Sequence, residues 1–407
     1  MIPLELSVLD GLGEVDARAD HVTGVQVDSR RIQPSDLFVA VGRGADFRDD
    51  ALERGAAATL IPNDAFAALA RIGRAVRDRS SARVVGITGS MGKTSTKDIL
   101  AALCAPTART VAAEASFNNE IGVPLTLCRI EADTEVCILE LAMRGFGQIA
   151  ELCEIARPEI GVITNVGPVH LELVESVEGV MRAKTELVAA LPRGGIAIVP
   201  EDFPVERDDV AVVRLREPDV VLREGRMVVE GVGFDFSARH QAQNAAAALA
   251  ALDALGLPRP DHVDVDFSRW RGEEGELPGG GLVINDAYNA NPVSMRAALA
   301  YLAERAQGRR RVAILGDMAE LGRTAPAYHR EVGRAAAELG VEELLAVGEL
   351  ARGYLEAGVP GRWTPNVHEA LRALDEVVRP GDAILVKASR AIGLEAVAEA
   401  LTKVPTA

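Results

Sequence analysis

Short apolar runs alternate with longer amphipathic stretches over most of the chain, a pattern that predicts an α/β protein. Residues 84–88, 136–141, 161–165 and 196–199 read as buried parallel strands, because their aliphatic residues continue without polar alternation. Helical stretches at 93–103 and 177–191 lie between them, which implies βαβ units and a parallel sheet. Upstream, shorter β-like runs at 22–27, 37–41 and 56–61 are broken by Gly, Pro and Asp, and the charged stretch 71–83 predicts a helix end and a linker. Downstream, 210–236 reads as strands with hairpin character, 241–255 as an Ala-rich helix and the Gly/Glu-rich 270–281 as a second linker. Alternation then resumes with strands at 282–287, 312–316, 344–347 and 383–387. A helix is expected to begin at Asn291-Pro292, with Asn as the cap and Pro in the first turn. The expectation is three α/β domains: a small N-terminal domain at 1–82, a central parallel-sheet domain at 83–277 and a C-terminal Rossmann-like domain at 278–407.

Composition narrows the function. A chain of 407 residues exceeds one ordinary core, and 48% apolar with 4% aromatic residues suits Ala/Val/Leu-rich α/β layers. The net charge of −16 argues against a nucleic-acid partner, though a phosphorylated small molecule needs only one local site of positive potential. The first ten residues lack the basic flank of a signal peptide, and no apolar run is long enough to span a bilayer, so a cytoplasmic protein without stable membrane insertion is expected. Cys104, Cys128, Cys137 and Cys153 show no C-x-x-C spacing and read as buried free thiols.

The chemistry centres on residues 84–94, an apolar strand, a Gly-containing turn and a helix start. Backbone N–H groups in such a turn, with the positive end of the helix, form an anion site. Thr88, Gly89, Ser90, Met91, Gly92, Lys93, Thr94 and Ser95 are the candidate nucleotide-binding residues. Lys93 is expected at the β- and γ-phosphates of ATP, and the Thr94 hydroxyl at Mg²⁺. The general pattern places glycine where this chain has Ile87, so the match is to a variant, T-G-S-x-G-K-T. Glu140 ends one predicted strand and His170 follows another, and together they are candidates for a second Mg²⁺. Lys184, inside a predicted helix, reads by itself as a solvated position. Asn118-Asn119-Glu120-Ile121-Gly122 reads as a turn and helix start, with amides available to phosphate or substrate.

Taken together these strings are similar to the Mur ligases of bacterial cell-wall synthesis, along essentially the whole chain. The carriers are the 88–94 loop, Asn118 to Pro124, Ile163 to Glu172, Ala183-Lys184-Thr185-Glu186, His240-x-x-x-Asn244-Ala245, Asn285 to Pro292, Leu315 to Gly322 and Val386 to Arg390. The Tyr-Asn-Ala-Asn-Pro string at 288–292 is the most specific, and within the family it resembles the branch that adds D-alanyl-D-alanine to UDP-N-acetylmuramoyl-tripeptide.

The resemblance implies an ATP-dependent ligase of peptidoglycan precursor synthesis, acting through an acyl phosphate, as a monomer. It implies Lys93, Glu140, His170, Lys184 and Arg271 as catalytic residues. Lys184 would be carbamylated by CO₂ and would help Glu140 and His170 hold the second Mg²⁺, with Thr94 at the Mg²⁺ of the phosphates. Asn119, Asn244, Asp286 and Arg271 would serve the nucleotide, with Asn244 at adenine, Asp286 at ribose and Arg271 at the γ-phosphate. Asp28, Ser29 and Arg30 would bind the uridine nucleotide. Tyr288, Asn289, Asn291, Lys387, Ser389 and Arg390 would face the incoming dipeptide.

Some positions depart from the family's usual strings: residues 44–50 in the first domain, Trp270 before the linker arginine, and Asn285 in place of aspartate. Rival readings are a Mur-like or folate/polyglutamate-type ligase with another acceptor, and a P-loop regulatory nucleotide-binding protein. The latter lacks its guanine-reading Asn-Lys-x-Asp, since the closest string is Asn165-Val166-Gly167-Pro168. A P-loop kinase would leave the third domain unexplained.

Overall fold

The computed structural model describes residues 1–402 apart from 224, 225, 278 and 279. The chain divides into two compact units. The first comprises Met1–Asn165, Arg182–Ser237 and Gln241–Asp266; the second comprises Val166–Met181, Ala238–His240 and Phe267–Ala407.

The first unit opens with a four-stranded sheet made of Gly13–Ala17 (β1), Gly24–Gln26 (β2), Asp36–Val39 (β3) and Ala58–Pro62 (β4), in the order β1-β4-β3-β2. Helix Ala65–Arg77 (α1) follows, its first turn capped by Asp64, whose Oδ1 accepts from the Phe66 and Ala67 N–H groups. The charged stretch expected to end a helix therefore continues α1 to Arg77. That arginine is buried: it donates to the Ala156 carbonyl at 2.9 Å and to Glu159 Oε1 at 2.6 Å, which ties α1 to the sheet that comes next.

That next sheet is the parallel one. Its strands are Arg83–Thr88 (β5), Thr110–Ala112 (β6), Val136–Glu140 (β7), Ile160–Ile163 (β8), Ile196–Pro200 (β9) and Ala211–Leu215 (β10), in the order β10-β9-β8-β5-β7-β6. All of its pairings are parallel. The central strands are buried throughout, as covered faces require. Chain order reverses around β5, which lies between β8 and β7, so the switch point of the sheet falls beside the loop that leaves β5. Helix Lys93–Cys104 (α2) begins there and packs against the Ala-rich helix Ala242–Leu255 (α3). The hairpin character expected for 210–236 holds for Val220–Arg223, Arg226–Val229 and Val232–Phe234; residues 224 and 225 of that stretch lie outside the described residues. All four cysteines sit in this unit, free and buried, and burial pushes their thiols up to about 12.

The second unit carries a six-stranded sheet of Glu273–Leu277 (β11), Gly281–Asn285 (β12), Arg311–Gly316 (β13), Glu343–Val347 (β14), Gly361–Thr364 (β15) and Ala383–Lys387 (β16), in the order β11-β12-β16-β13-β14-β15. Only β11 runs antiparallel to its neighbour. The stretch expected as a linker is thus in part an edge strand, whose glutamates keep the open edge polar. Residues 278 and 279 of that stretch lie outside the described residues. Asn291 caps helix Pro292–Ala306 (α4) as expected: its side chain accepts from the Ser294 N–H at 2.9 Å, and the Ser294 hydroxyl accepts from the Asn291 N–H at 3.0 Å.

Helix Ala325–Glu338 (α5) braces the loop after β13. His329 is fully buried; Nδ1 donates to the Ala325 carbonyl at 2.7 Å, which leaves Nε2 bare to accept the Met318 N–H at 3.0 Å. Burial holds the imidazole pKa below its ordinary value, against the opposing pull of the Ala325 carbonyl and Asp317. The folded chain therefore binds this proton less readily than the unfolded chain, whose histidine titrates near ~6.5. The corresponding stability is complete above that value and is lost as pH falls from it through the lowered folded pKa. Thermal unfolding of the full chain should show this loss on acidification, and His329→Gln should flatten it relative to wild type. An identical pH slope in the two proteins would rule out the His329 account.

Candidate active site

The loop between β5 and α2 is shaped by glycine. Gly92 has φ +80°, and a Cβ there would stand 2.1 Å from Asn244 Oδ1; at Gly89 a Cβ would stand 1.8 Å from the Thr164 hydroxyl. No residue with a side chain fits either position without displacing a neighbour. Asn165 braces the loop from the adjoining strand end. Its Oδ1 accepts the Ser90 and Met91 N–H groups at 3.1 and 3.0 Å, while Thr164 donates to the Met91 carbonyl at 2.6 Å. Asn165 and Thr164 were not named as site residues; the sequence places them at the end of the predicted strand 161–165 and inside the family-like string Ile163 to Glu172.

Lys93 opens α2 and donates to the Gly89 carbonyl at 2.9 Å, folded over its own loop. Thr94 follows, buried, with its hydroxyl donating to Glu140 Oε2 at 2.8 Å. Glu140 ends β7, the neighbour of β5, in a register that sets it beside Ile87. Asn118, from the turn whose amides the sequence offers to phosphate or substrate, donates instead to the second carboxylate oxygen at 2.9 Å. Among the described residues no three His, Cys, Asp or Glu side chains cluster as a metal site. What the geometry offers is one buried carboxylate beside one hydroxyl, hard oxygen donors at a phosphate loop, and this fits Mg²⁺, which takes few protein ligands and completes its shell with phosphate and water. Thr88, at the end of β5, adds a buried hydroxyl with no hydrogen-bond partner in the structure.

Lys184 lies in the first unit and is 2% exposed. Burial drives its pKa well down, and the nearby Lys93 charge adds to the effect, which favours the neutral amine. The solvated-face reading of Lys184 is corrected: periodicity alone could not show which side of the helix meets the core. The remaining first-unit candidates have structural partners. Ser95 accepts from Gln241, Asn244 donates to Gln241 Oε1 at 2.7 Å, and Asn119 Oδ1 accepts the Gly122 N–H at 3.0 Å at the start of a short helix. Asp28 accepts from both the Arg30 backbone and guanidinium, and the guanidinium hydrogen bond lowers its carboxyl to about 2. Ser29 is buried beside Asp50.

His170 falls in the second unit, in a left-handed conformation (φ +53°), with Nδ1 hydrogen-bonded to Glu320. Glu320 was not anticipated. Lys387 is buried, with Nζ 2.6 Å from Asp286 Oδ2 and donating to the Asn289 carbonyl at 2.8 Å; burial lowers its pKa while Asp286 opposes the shift. Ser389 accepts the Ala319 N–H at 2.9 Å. The Arg271 guanidinium stacks 4.0 Å from the Tyr288 ring centroid, and Arg390 lies 4.4 Å from that of Trp270. The oxygen of Asn291 is spent on its cap, and that of Asn289 accepts the Ala290 N–H at 2.8 Å. Asp286, Asn289, Tyr288, Lys387 and Ser389 thus gather at the ends of β12 and β16.

Comparison with known proteins agrees with this layout. Residues 87–221 match the Mur ligase middle domain, and residues 271–390 match the Mur ligase, glutamate ligase domain. The chain is 37% identical, over 95% of its length and 93% of the relative, to the UDP-N-acetylmuramoyl-tripeptide–D-alanyl-D-alanine ligase of Mycobacterium tuberculosis strain H37Rv. A crystal structure of MurF from Acinetobacter baumannii superposes with a TM-score of 0.86 at 26% identity, covering 98% of this chain and 99% of the other. MurF from Thermotoga maritima in complex with ADP superposes at 0.78, with 26% identity, 94% of this chain and 97% of the other. Matching the Mur ligase middle domain and the glutamate ligase domain, and 37% identical over 95% of its length to a ligase of that family, the chain belongs to the Mur ligase family.

Proposed function

We propose that this protein joins D-alanyl-D-alanine to UDP-N-acetylmuramoyl-tripeptide at the expense of ATP, acting as a monomer in the cytoplasm. The similarity to a ligase of that name over 95% of the chain carries the reading. The buried Thr94–Glu140 pair at the phosphate loop supports its ATP half. Among the described residues no helix is long and apolar enough to cross a membrane.

The phosphate groups of ATP are assigned to the Gly89–Thr94 turn. Lys93, tethered to the Gly89 carbonyl, is one swing from a γ-phosphate there, and Arg271 is assigned as a further cation for the same group. Thr94 and Glu140 would hold Mg²⁺, with His170 and a carbamylated Lys184 assigned to a second ion; the metals would offset charge on the transferring phosphoryl group. A carboxylate oxygen of the tripeptide attacks the γ-phosphorus, the bond to the ADP oxygen breaks, and an acyl phosphate results. The dipeptide amine then adds to the acyl carbon, loses a proton, and phosphate leaves. Asp28, Ser29 and Arg30 are assigned to the uridine nucleotide, Asn119, Asn244 and Asp286 to ATP, and Tyr288, Asn289, Asn291, Lys387, Ser389 and Arg390 to the dipeptide. Carbamate formation needs a neutral amine, the state that burial favours at Lys184.

Phosphate release from ATP should require both UDP-N-acetylmuramoyl-tripeptide and D-alanyl-D-alanine. Release stimulated by a different amine and indifferent to the dipeptide would transfer the chain to another acceptor branch. Lys184→Ala should lose turnover by a factor on the order of 10² or more, as for a lost electrostatic group at a phosphoryl centre, with partial recovery in a short carboxylic acid. Full activity of that variant without any additive would eliminate the carbamate.

A further inference from the structure

Lys97 lies four residues after Lys93 on α2, and its ammonium is 3% exposed. It donates to the Ala113 carbonyl at 2.8 Å and the Ala115 carbonyl at 3.0 Å, and pairs with Asp98 at 2.8 Å. All three ammonium protons are thereby engaged. The two carbonyls belong to the loop that leaves β6, where Ala115 stands in a left-handed conformation (φ +45°) that alanine disfavours. The ion pairs of Glu114 in this loop are exposed: it meets Arg31 at 3.1 Å and Arg129 at 3.5 Å, with each side chain at least 41% exposed. Pairs of that kind add little. Beside the backbone bond from the Ala113 N–H to the Ile138 carbonyl at 3.0 Å, the buried lysine is therefore the main side-chain anchor of residues 113–115.

Downstream, the same loop delivers Asn118. Its carbonyl accepts the Ala142 N–H at 2.9 Å and its side chain donates to Glu140 Oε1 at 2.9 Å. Glu140 meets Thr94 through its other oxygen at 2.8 Å, and Thr94 is on α2, three residues before Lys97. The contacts form a closed ring: Lys97, the loop, Asn118, Glu140, Thr94 and back along one helical turn to Lys97.

We infer that Lys97 is a positioning residue of the nucleotide-metal site, fixing the loop so that Asn118 orients the Glu140 carboxylate against Thr94. Its ammonium is taken up by the two loop carbonyls and Asp98, so it acts through two intermediaries. The inference rests on the ATP-dependent reading of the phosphate loop.

The test is ADP binding to the full chain by titration calorimetry, in EDTA and at increasing Mg²⁺, for wild type, Lys97→Met, Lys97→Arg and Asn118→Ala. Loss of a group that orients a metal-binding side chain weakens metal affinity by roughly 10–100-fold. Lys97→Met should accordingly raise the Mg²⁺ concentration needed for tight ADP binding by about that factor, and leave metal-free ADP affinity unchanged. Lys97→Arg, which keeps a buried donor, should recover part of the loss. Asn118→Ala leaves the lysine in place and should reproduce the Lys97→Met effect, so it decides the matter if Lys97→Met fails to fold. A lower melting temperature with an unaltered Mg²⁺ requirement in the folded variants would make Lys97 merely structural and overturn the inference. Wild-type protein that binds no ADP would instead remove the nucleotide reading, and the inference with it.

Discussion

Glu140, at the end of a buried strand, and Thr94, in the first turn of α2, meet through a carboxylate and a hydroxyl 2.8 Å apart, and much of the first unit is arranged around holding them there. An ionised carboxylate taken out of water costs several kcal/mol unless charge and hydrogen bonds compensate. Thr94 and the Asn118 amide supply two hydrogen bonds. A cation with phosphate oxygens would supply the charge. The arrangement is poor for stability by itself and good for binding, which is the balance expected of a site. Gly89 and Gly92 follow from the same demand: the turn must pass close enough to Thr164 and Asn244 that no Cβ fits.

The acidic net charge does not conflict with an anionic substrate. Charge balance over the whole surface governs solubility and long-range steering, whereas phosphate binding depends on a few donors at short range. The donors proposed here are the turn's own backbone, the α2 terminus and Lys93, set where an open parallel sheet changes chain direction.

Much of this was legible because it is local. The apolar runs at 84–88 and 136–141 became strands to within a residue, the Ala-rich segment became α3, and Asn291-Pro292 began α4 as its capping chemistry requires. The phosphate loop was readable because its glycines and lysine are contiguous. Less legible was anything set by a partner far along the chain. Arg77 reads as part of a charged linker, yet Glu159 and the Ala156 carbonyl bury it. Lys97 is one unremarked position of the predicted helix 93–103 until a loop beginning sixteen residues later folds over it. Asn118 and Asn165 gain their roles only from strand order, which periodicity does not encode. Residues 273–277, rich in Glu and Gly, resemble a linker because an edge strand exposed to water carries little apolar signal.

Lys184 and Lys387 show how neighbours, more than burial, decide what a lysine can do. Both are 2% exposed, and burial lowers the pKa of each. Lys387 has the Asp286 carboxylate 2.6 Å away and two backbone carbonyls as acceptors, so its charge is compensated where it sits. Such a pair fixes the ends of β12 and β16 relative to each other and presents a rigid, polar surface. Lys184 has Lys93 as its electrostatic neighbour, and like charges disfavour protonation of the more deeply buried amine. A neutral buried amine is a nucleophile toward CO₂, and the carbamate so formed is an anion, which the Lys93 charge would then favour. Burial does most to disfavour the proton on Lys184 and the Lys93 charge adds to it, and that same charge would stabilise a carbamate there.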